Sequence, residues 1–170
     1  LRSISPSLVV CCIVGIYWIT LVAEEGRWKT GQTITSDVKS YYTYLPAAVI
    51  QGDLALNNIK SLPPEDGQYI WYGMQDGKRF IRMPMGTALC YSPFFLAAHA
   101  VALNSDEWPA TGYSLPYFLA LQISALFFGL WGLFLVRRLC REFMSDFVAA
   151  LVLLLLAFGT NLTFYATFHA

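Results

Sequence analysis

The chain is poor in charge, and it has no long basic run and no cysteine pattern typical of a metal site. Only 13% of its 170 residues are charged, whereas about a quarter are charged in an average soluble domain. Eleven basic and eleven acidic residues give zero net charge, which argues against nucleic acid as a partner. Cys11, Cys12, Cys90 and Cys140 lie in or at the end of apolar stretches, where we interpret them as small packing residues.

Several enzyme motifs are also missing from the sequence. It contains no glycine-rich phosphate loop, no His-Glu-x-x-His zinc motif and no serine nucleophile elbow. Internal repeats and low-complexity segments are absent too. These absences exclude the commonest nucleotide-dependent, zinc-dependent and serine-dependent designs, and they leave the apolar segments as the main signal.

Apolar residues dominate the composition, with 56% hydrophobic residues and a mean hydropathy of +0.50. A membrane span needs roughly 20 mostly apolar residues. The sequence predicts three spans, over residues 7–23, 113–136 and 147–168. Residues 85–103 form a fourth apolar segment, but Pro93 and His99 interrupt it, so we expect a break near Pro93.

The distribution of charges predicts which side of the membrane each connection occupies. Three arginines within residues 137–141 form a basic cluster in a short connection, which the positive-inside rule places in the cytoplasm. The span before this cluster then runs from outside to inside, so residues 104–111, which carry acids and no base, are predicted to lie outside. Arg2 precedes the first span and suggests that this span runs from inside to outside, so residues 24–84 are predicted to lie outside as well. The two ends of residues 85–103 then share one face. We therefore predict an interfacial or re-entrant helix there, with four true spans as the alternative.

The predicted outer loop, residues 24–111, is far longer than a connection between helices requires. Its part from 24 to 84 holds seven of the eleven acids and seven of the eleven bases. The predicted fold class is an all-α integral membrane protein, with interfacial helices over about 37–51 and 85–103 and a small β-hairpin in this loop. The chain begins with Leu1 and closes on an apolar stretch, so we expect it to be the N-terminal part of a longer transmembrane domain.

Residues 37–51 have the periodicity of an amphipathic helix. Apolar residues recur at helical spacing at Val38, Tyr41, Tyr42, Leu45, Ala48 and Val49. The opposite side carries Lys39, Ser40, Thr43 and Gln51. We expect Ser36 or Asp37 to cap the helix, Pro46 to kink it and Gly52-Asp53 to end it. Such a helix is suited to lying on the bilayer surface.

A hairpin is predicted around Gln75-Asp76-Gly77, because Asp-Gly between aromatic and β-branched runs favours a tight turn. It would bring Lys78, Arg79 and Arg82 together near the membrane surface. Positive charge there can neutralise a phosphate. A solvated strand face is the alternative interpretation of these three residues.

The order of these features resembles the GT-C superfamily of membrane glycosyltransferases, which includes protein mannosyltransferases and lipid A aminoarabinose transferases. In that pattern an acidic residue opens a helix after the first span, Gly-Asp closes it, and a basic residue and proline precede a second interfacial segment and the second span. The matching elements here are Asp37, Gly52-Asp53, Arg82-Met83-Pro84, residues 85–103 and residues 113–136. The Tyr-Tyr-x-Tyr-Leu-Pro and Gly112-Tyr-Ser-x-Pro-Tyr117 strings resemble a subgroup of that superfamily.

The resemblance implies an inverting transfer of a sugar from a polyprenyl-phosphate donor to an acceptor hydroxyl at the extracytoplasmic face. Asp37 would then be the catalytic base. Arg82, Lys78 and Arg79 would contact the phosphate. Tyr41 and Tyr42 would hold the sugar or the prenyl chain, with membrane anchoring as the equal alternative. We expect His169, at the outer end of the last span, to face the same cavity as Asp37, with an ordinary residue of the membrane interface as the alternative.

The resemblance also implies the partners and the location. The expected partners are the lipid bilayer and a polyprenyl-phosphate-linked sugar, in a bacterial cytoplasmic membrane with the site facing outside. Many members carry a second acid beside the first, but Val38 follows Asp37 here, so we predict no cofactor and no metal site, although a divalent metal stays open. The competing hypothesis is a non-enzymatic membrane protein, either a transporter or a scaffold.

Overall fold

The computed structural model describes residues 5–56 and 72–168, with Ser36 and Tyr72 defined by their backbone alone. The described chain is mostly helical and contains one antiparallel pair of strands. Its α-helices are α1 (Pro6–Glu25), α2 (Ser36–Leu45), α3 (Gly86–Leu103), α4 (Leu115–Phe143), α5 (Asp146–Phe158) and α6 (Leu162–Thr167). A short 3-10 helix covers Arg27–Lys29, and a π-helical turn over Pro46–Ile50 continues α2. The strands are β1 (Tyr72–Gln75) and β2 (Lys78–Ile81). The predicted helical fold with a small hairpin is confirmed at this level.

Three of the described helices, α1, α3 and α4, are long and apolar enough to cross a membrane. Helix α5 is apolar but has only 13 residues. The predicted span over residues 147–168 is therefore two helices rather than one. Gly159 ends α5 with its N–H bonded to the Leu155 carbonyl at 2.8 Å, and Asn161 precedes α6.

Helix α3 continues through Pro93, so the predicted break is wrong. Proline has no N–H, and its position leaves the carbonyl four residues earlier, that of Leu89, without its helical donor. The Ser92 hydroxyl donates to this carbonyl at 2.8 Å. A neighbouring side chain thus satisfies the group that proline leaves free, and the helix needs no break.

The chain divides into two compact units. The first unit comprises residues 1–26 and 125–170, and the second comprises residues 27–124. In the first unit α1 packs against α5 and α6. The core of this unit consists of Val14, Trp18, Leu133, Leu153, Ala157 and Ala166. The indole N–H of Trp18 donates to Thr163 Oγ1 at 2.9 Å, which satisfies the one polar atom of this buried ring.

A polar cluster joins the start of α1, the end of α4 and the start of α5 in the first unit. The Asp146 carboxylate accepts hydrogen bonds from the Ser5 hydroxyl at 2.7 Å, from the Ser7 hydroxyl and from the Ser7 N–H at 3.2 Å. Arg137, which is only 8% exposed, donates through Nε to the Ser7 hydroxyl at 2.8 Å. Arg141 Nε lies 3.0 Å from Asp146 Oδ1. The bonds from Ser7 and Ser5, with the charge of Arg141, lower the pKa of Asp146 to about 2.

The lowered pKa of Asp146 predicts acid sensitivity. A carboxylate whose pKa is depressed on folding stabilises the fold above its ordinary pKa near 4, and that contribution is lost as the pH falls toward about 2. We expect the melting temperature of the chain in detergent to fall across this range. Asp146→Asn should lower the melting temperature at neutral pH and flatten the acid branch. The exposed acid Glu142 provides the control, because Glu142→Gln should keep the wild-type profile; an unchanged profile in Asp146→Asn contradicts the assignment.

In the second unit α2 packs against α3, and the two strands form the hairpin that the sequence predicts. Tyr72 pairs with Ile81 and Gln75 pairs with Lys78. Asp76 and Gly77 have φ values of 52° and 75°. Positive φ at both central residues is the geometry of the two-residue turn that suits strand twist, so the predicted Asp-Gly hairpin is confirmed.

The side of the membrane on which α3 ends stays a prediction. Helix α3 is long and apolar enough to cross, yet the charge distribution places both of its ends outside. We expect a cysteine at position 106, in a chain whose native cysteines are replaced, to react with an impermeant maleimide added from outside. Reaction only after permeabilisation would show that α3 crosses the membrane.

Candidate functional site

Helix α2 is more deeply buried than its amphipathic pattern predicts. The polar residues Lys39, Ser40 and Thr43 were expected to face water, but all three are buried, as are Val38 and Tyr42 on the apolar side. The Thr43 hydroxyl donates to the Lys39 carbonyl at 2.6 Å, so the helix satisfies it internally. The prediction that the polar side of this helix faces water is therefore wrong, because protein covers these residues. The position of the helix at the bilayer surface stays a prediction.

The start of α2 also differs from the prediction. Thr35 is the N-cap residue by its extended backbone, and Ser36 and Asp37 are the first two residues of the helix. Asp37 is exposed in this first turn, where the positive end of the helix dipole favours a negative charge. Within the described residues no side chain donates a hydrogen bond to its carboxylate. The packed helix α2 thus exposes, in its first turn, a carboxylate that has no described hydrogen-bond donor.

Tyr42 is a packing residue in this structure. Its side chain is only 1% exposed, and its hydroxyl donates to the Gly112 carbonyl. Its ring lies edge-on to Phe95 and Tyr113, with ring centroids 5.8 Å and 5.7 Å away. Tyr41, which is half-buried, keeps more of its surface for a ligand.

The loop before α4 fits closely around this contact. Gly112 has a φ of +89°, and a Cβ atom there would lie 2.9 Å from the Cβ of Pro46. Only glycine adopts this backbone without strain and leaves room for the proline. Gly112 therefore brings its carbonyl to the Tyr42 hydroxyl at a place where other residues would not fit.

Burial sets the protonation state of Tyr42 and Tyr113. It is the main cause that raises the pKa of Tyr42 well above its ordinary value, with a further contribution from the charge of Tyr113. Burial likewise raises the pKa of Tyr113 to about 12. Both phenols stay protonated near neutral pH, so they can donate hydrogen bonds but do not act as bases.

Tyr44 ties the hairpin to the end of α2. Its hydroxyl donates to the Met83 carbonyl at 2.7 Å, and the Ile81 carbonyl lies 3.3 Å away. Arg82, between these two residues, has an exposed side chain. The contact therefore holds the backbone of Arg82 beside α2 while its guanidinium stays accessible.

The three cations predicted to act together are not equivalent. Lys78 and Arg82 are exposed, whereas Arg79 is half-buried and donates from Nη1 to the Leu56 carbonyl at 3.2 Å. Arg79 thus supports the fold of the second unit.

A histidine–tyrosine pair was not predicted as part of a site. His99 Nδ1 lies 2.6 Å from the Tyr117 hydroxyl. Phe95 stacks on His99, with centroids 6.0 Å apart and 13° between the ring planes, and it also contacts Tyr117. In the sequence, the signal for this pair is the Gly112–Tyr117 string. That string supported the family resemblance, but the resemblance gave Tyr117 no role.

His169 lies outside the described residues, so its convergence with Asp37 stays a prediction. In residues 5–56 and 72–168, no group of three or more histidine, cysteine, aspartate or glutamate side chains is arranged to hold a metal ion.

Comparison with known proteins identifies no relative: no family model, curated protein or solved structure matches the chain.

The Tyr42 hydroxyl provides a test of how this unit is held together. Tyr42→Phe leaves the buried Gly112 carbonyl without its donor, which costs roughly 1–3 kcal/mol. At about 2–4 °C per kcal/mol for a chain of this size, we expect a drop in melting temperature of several degrees in detergent. Tyr41→Phe is the matched control, because no hydrogen bond of the Tyr41 hydroxyl occurs within the described residues. Equal melting temperatures for the two variants would contradict the role of Tyr42.

Proposed function

We propose that the chain transfers a sugar from a polyprenyl-phosphate donor to an acceptor hydroxyl at the extracytoplasmic membrane face. The observation that carries this proposal is the exposed carboxylate of Asp37, to which no described side chain donates, on the first turn of a largely buried helix. Catalytic groups need fixed positions, and a side chain on a packed helix is better positioned than one on a loop.

Asp37 is suited to accept a proton from the acceptor hydroxyl. Its carboxylate is available as a base, since no described side chain pairs with it. A positioned base of this kind contributes roughly 10²–10⁴ in rate.

Arg82 is suited to bind the donor phosphate. The Tyr44–Met83 contact holds its backbone near the C-terminal part of α2, and Asp37 lies seven residues before Tyr44, or about 10 Å along the helix axis. An inverting displacement needs a group that activates the nucleophile on one face of the sugar and a group that receives the leaving phosphate on the other.

The remaining candidates take different roles in this proposal. Lys78 is a second exposed cation on the hairpin, and Tyr41 is the tyrosine with surface left for the sugar or the prenyl chain. Tyr42 and Arg79 act through the fold, by fixing α2 and the hairpin. We therefore expect Arg82 and Lys78 to contribute more to donor binding than Arg79.

The test of the base is Asp37→Asn in the full-length protein, reconstituted with a polyprenyl-phosphate sugar. The amide keeps the size of the side chain, so folding and donor binding should persist while turnover falls at least about a hundredfold. Asp106→Asn, which changes another exposed acid of the second unit, should leave turnover unchanged. Near-normal transfer by Asp37→Asn would show that Asp37 serves the helix alone and would favour a non-enzymatic membrane protein.

Arg82→Ala should behave differently from Asp37→Asn. The phosphate is charged in the ground state and in the transition state, so removal of Arg82 should raise the donor KM as well as lower kcat. Lys29→Ala removes another exposed cation of the second unit and serves as the control.

A further inference from the structure

The register of the hairpin sorts its side chains onto two faces. Directly paired residues of an antiparallel ladder point to the same side, and successive residues alternate. Ile81 is buried and Arg79 reaches the Leu56 carbonyl, so these two define the inner face. Lys78 and Phe80 therefore lie on the outer face, and both are exposed.

Phe80 is held flat on this outer face by its cross-strand partner. It pairs with Gly73, and a Cβ atom on Gly73 would lie 2.4 Å from Cζ of the Phe80 ring. The ring therefore covers the glycine with one side, and its side chain stays 44% exposed. Arg82 follows the end of β2 directly, outside the paired ladder, and is exposed as well. We call Lys78, Phe80 and Arg82 the outer stripe.

The outer stripe is tied to a membrane-competent helix by a very short connection. Only Arg82, Met83, Pro84 and Met85 separate β2 from α3, which begins at Gly86 and is long and apolar enough to cross a membrane. Met85 itself is 47% exposed. Whether α3 crosses the bilayer or lies on it, its first turn is at the bilayer boundary, so the hairpin is held at the level of the lipid headgroups.

We propose that the outer stripe docks on the anionic phospholipid headgroups of the bilayer that receives α3. Lys78 and Arg82 supply charge that is complementary to lipid phosphates, and Phe80 between them supplies an aromatic ring of the kind enriched at membrane interfaces. Each basic residue near an anionic surface strengthens association about fivefold. The proposed function assigns the same two cations to the donor phosphate, but docking on headgroups needs no sugar donor and would fix the depth at which the second unit sits.

The experiment measures hydrogen exchange of the amides of residues 73–82 in the intact chain. Nanodiscs of phosphatidylcholine are compared with nanodiscs that also contain phosphatidylglycerol. We expect exchange to slow about fivefold or more in the anionic discs. The slowing should disappear near 1 M salt, where the Debye length shrinks to about 3 Å. The salt series uses the unaltered chain, so it does not depend on the folding of a variant.

The combined substitutions Lys78→Glu and Arg82→Glu should abolish the slowing. The charge-matched control combines Lys29→Glu with Arg138→Glu, which reverses two exposed cations outside the hairpin and should keep it. Three results would overturn the proposal. These are equal exchange rates in both kinds of disc, loss of the slowing in the control variant as well as in the hairpin variant, or slowing that survives high salt. The same slowing produced by inorganic phosphate in phosphatidylcholine discs would also overturn it, because that would indicate a site for free phosphate.

Discussion

The hydrogen bond from the buried Tyr42 hydroxyl to the Gly112 carbonyl is the contact on which the second unit depends. A buried hydroxyl without a partner is costly, so the ring can be enclosed only if a carbonyl meets it. Gly112 makes this meeting possible, because its positive φ and missing side chain let the loop approach Pro46. Enclosing Tyr42 in turn places α2 against Phe95 of α3.

Once α2 is fixed, the other parts of the candidate site have defined positions. Tyr44 holds the chain that follows β2, and with it the backbone of Arg82, beside the end of the helix. Asp37 sits at the opposite end, in the first turn. In our proposal the carboxylate and the guanidinium assist opposite faces of the sugar carbon during displacement. The proposal of glycosyl transfer rests on the exposed carboxylate of Asp37, and the lipid-docking hairpin would set the height of the site at the membrane.

Local patterns predicted those parts of the molecule that local physics decides. The Asp76-Gly77 turn needs two residues that tolerate positive φ, and no distant contact changes that requirement. Helix α1 needs only an uninterrupted apolar run, and it extends close to the predicted limits. The prediction at Pro93 was wrong for an equally local reason: proline argues for a break, but the hydroxyl of the preceding Ser92 satisfies the freed carbonyl.

The sequence by itself determined the membrane character, the hairpin turn, and the presence of one acid at the head of a tyrosine-rich helix. Only the tertiary structure decided which side chains of that helix are exposed to solvent. Lys39, Ser40 and Thr43 look solvent-facing by periodicity, yet they are buried, because burial depends on what packs against a helix and not on its own pattern. The tertiary structure likewise separated Arg79 from Lys78 and Arg82. Pairing alternates side chains between two faces, and the burial of Ile81 and the contact of Arg79 with the Leu56 carbonyl show which face is inside.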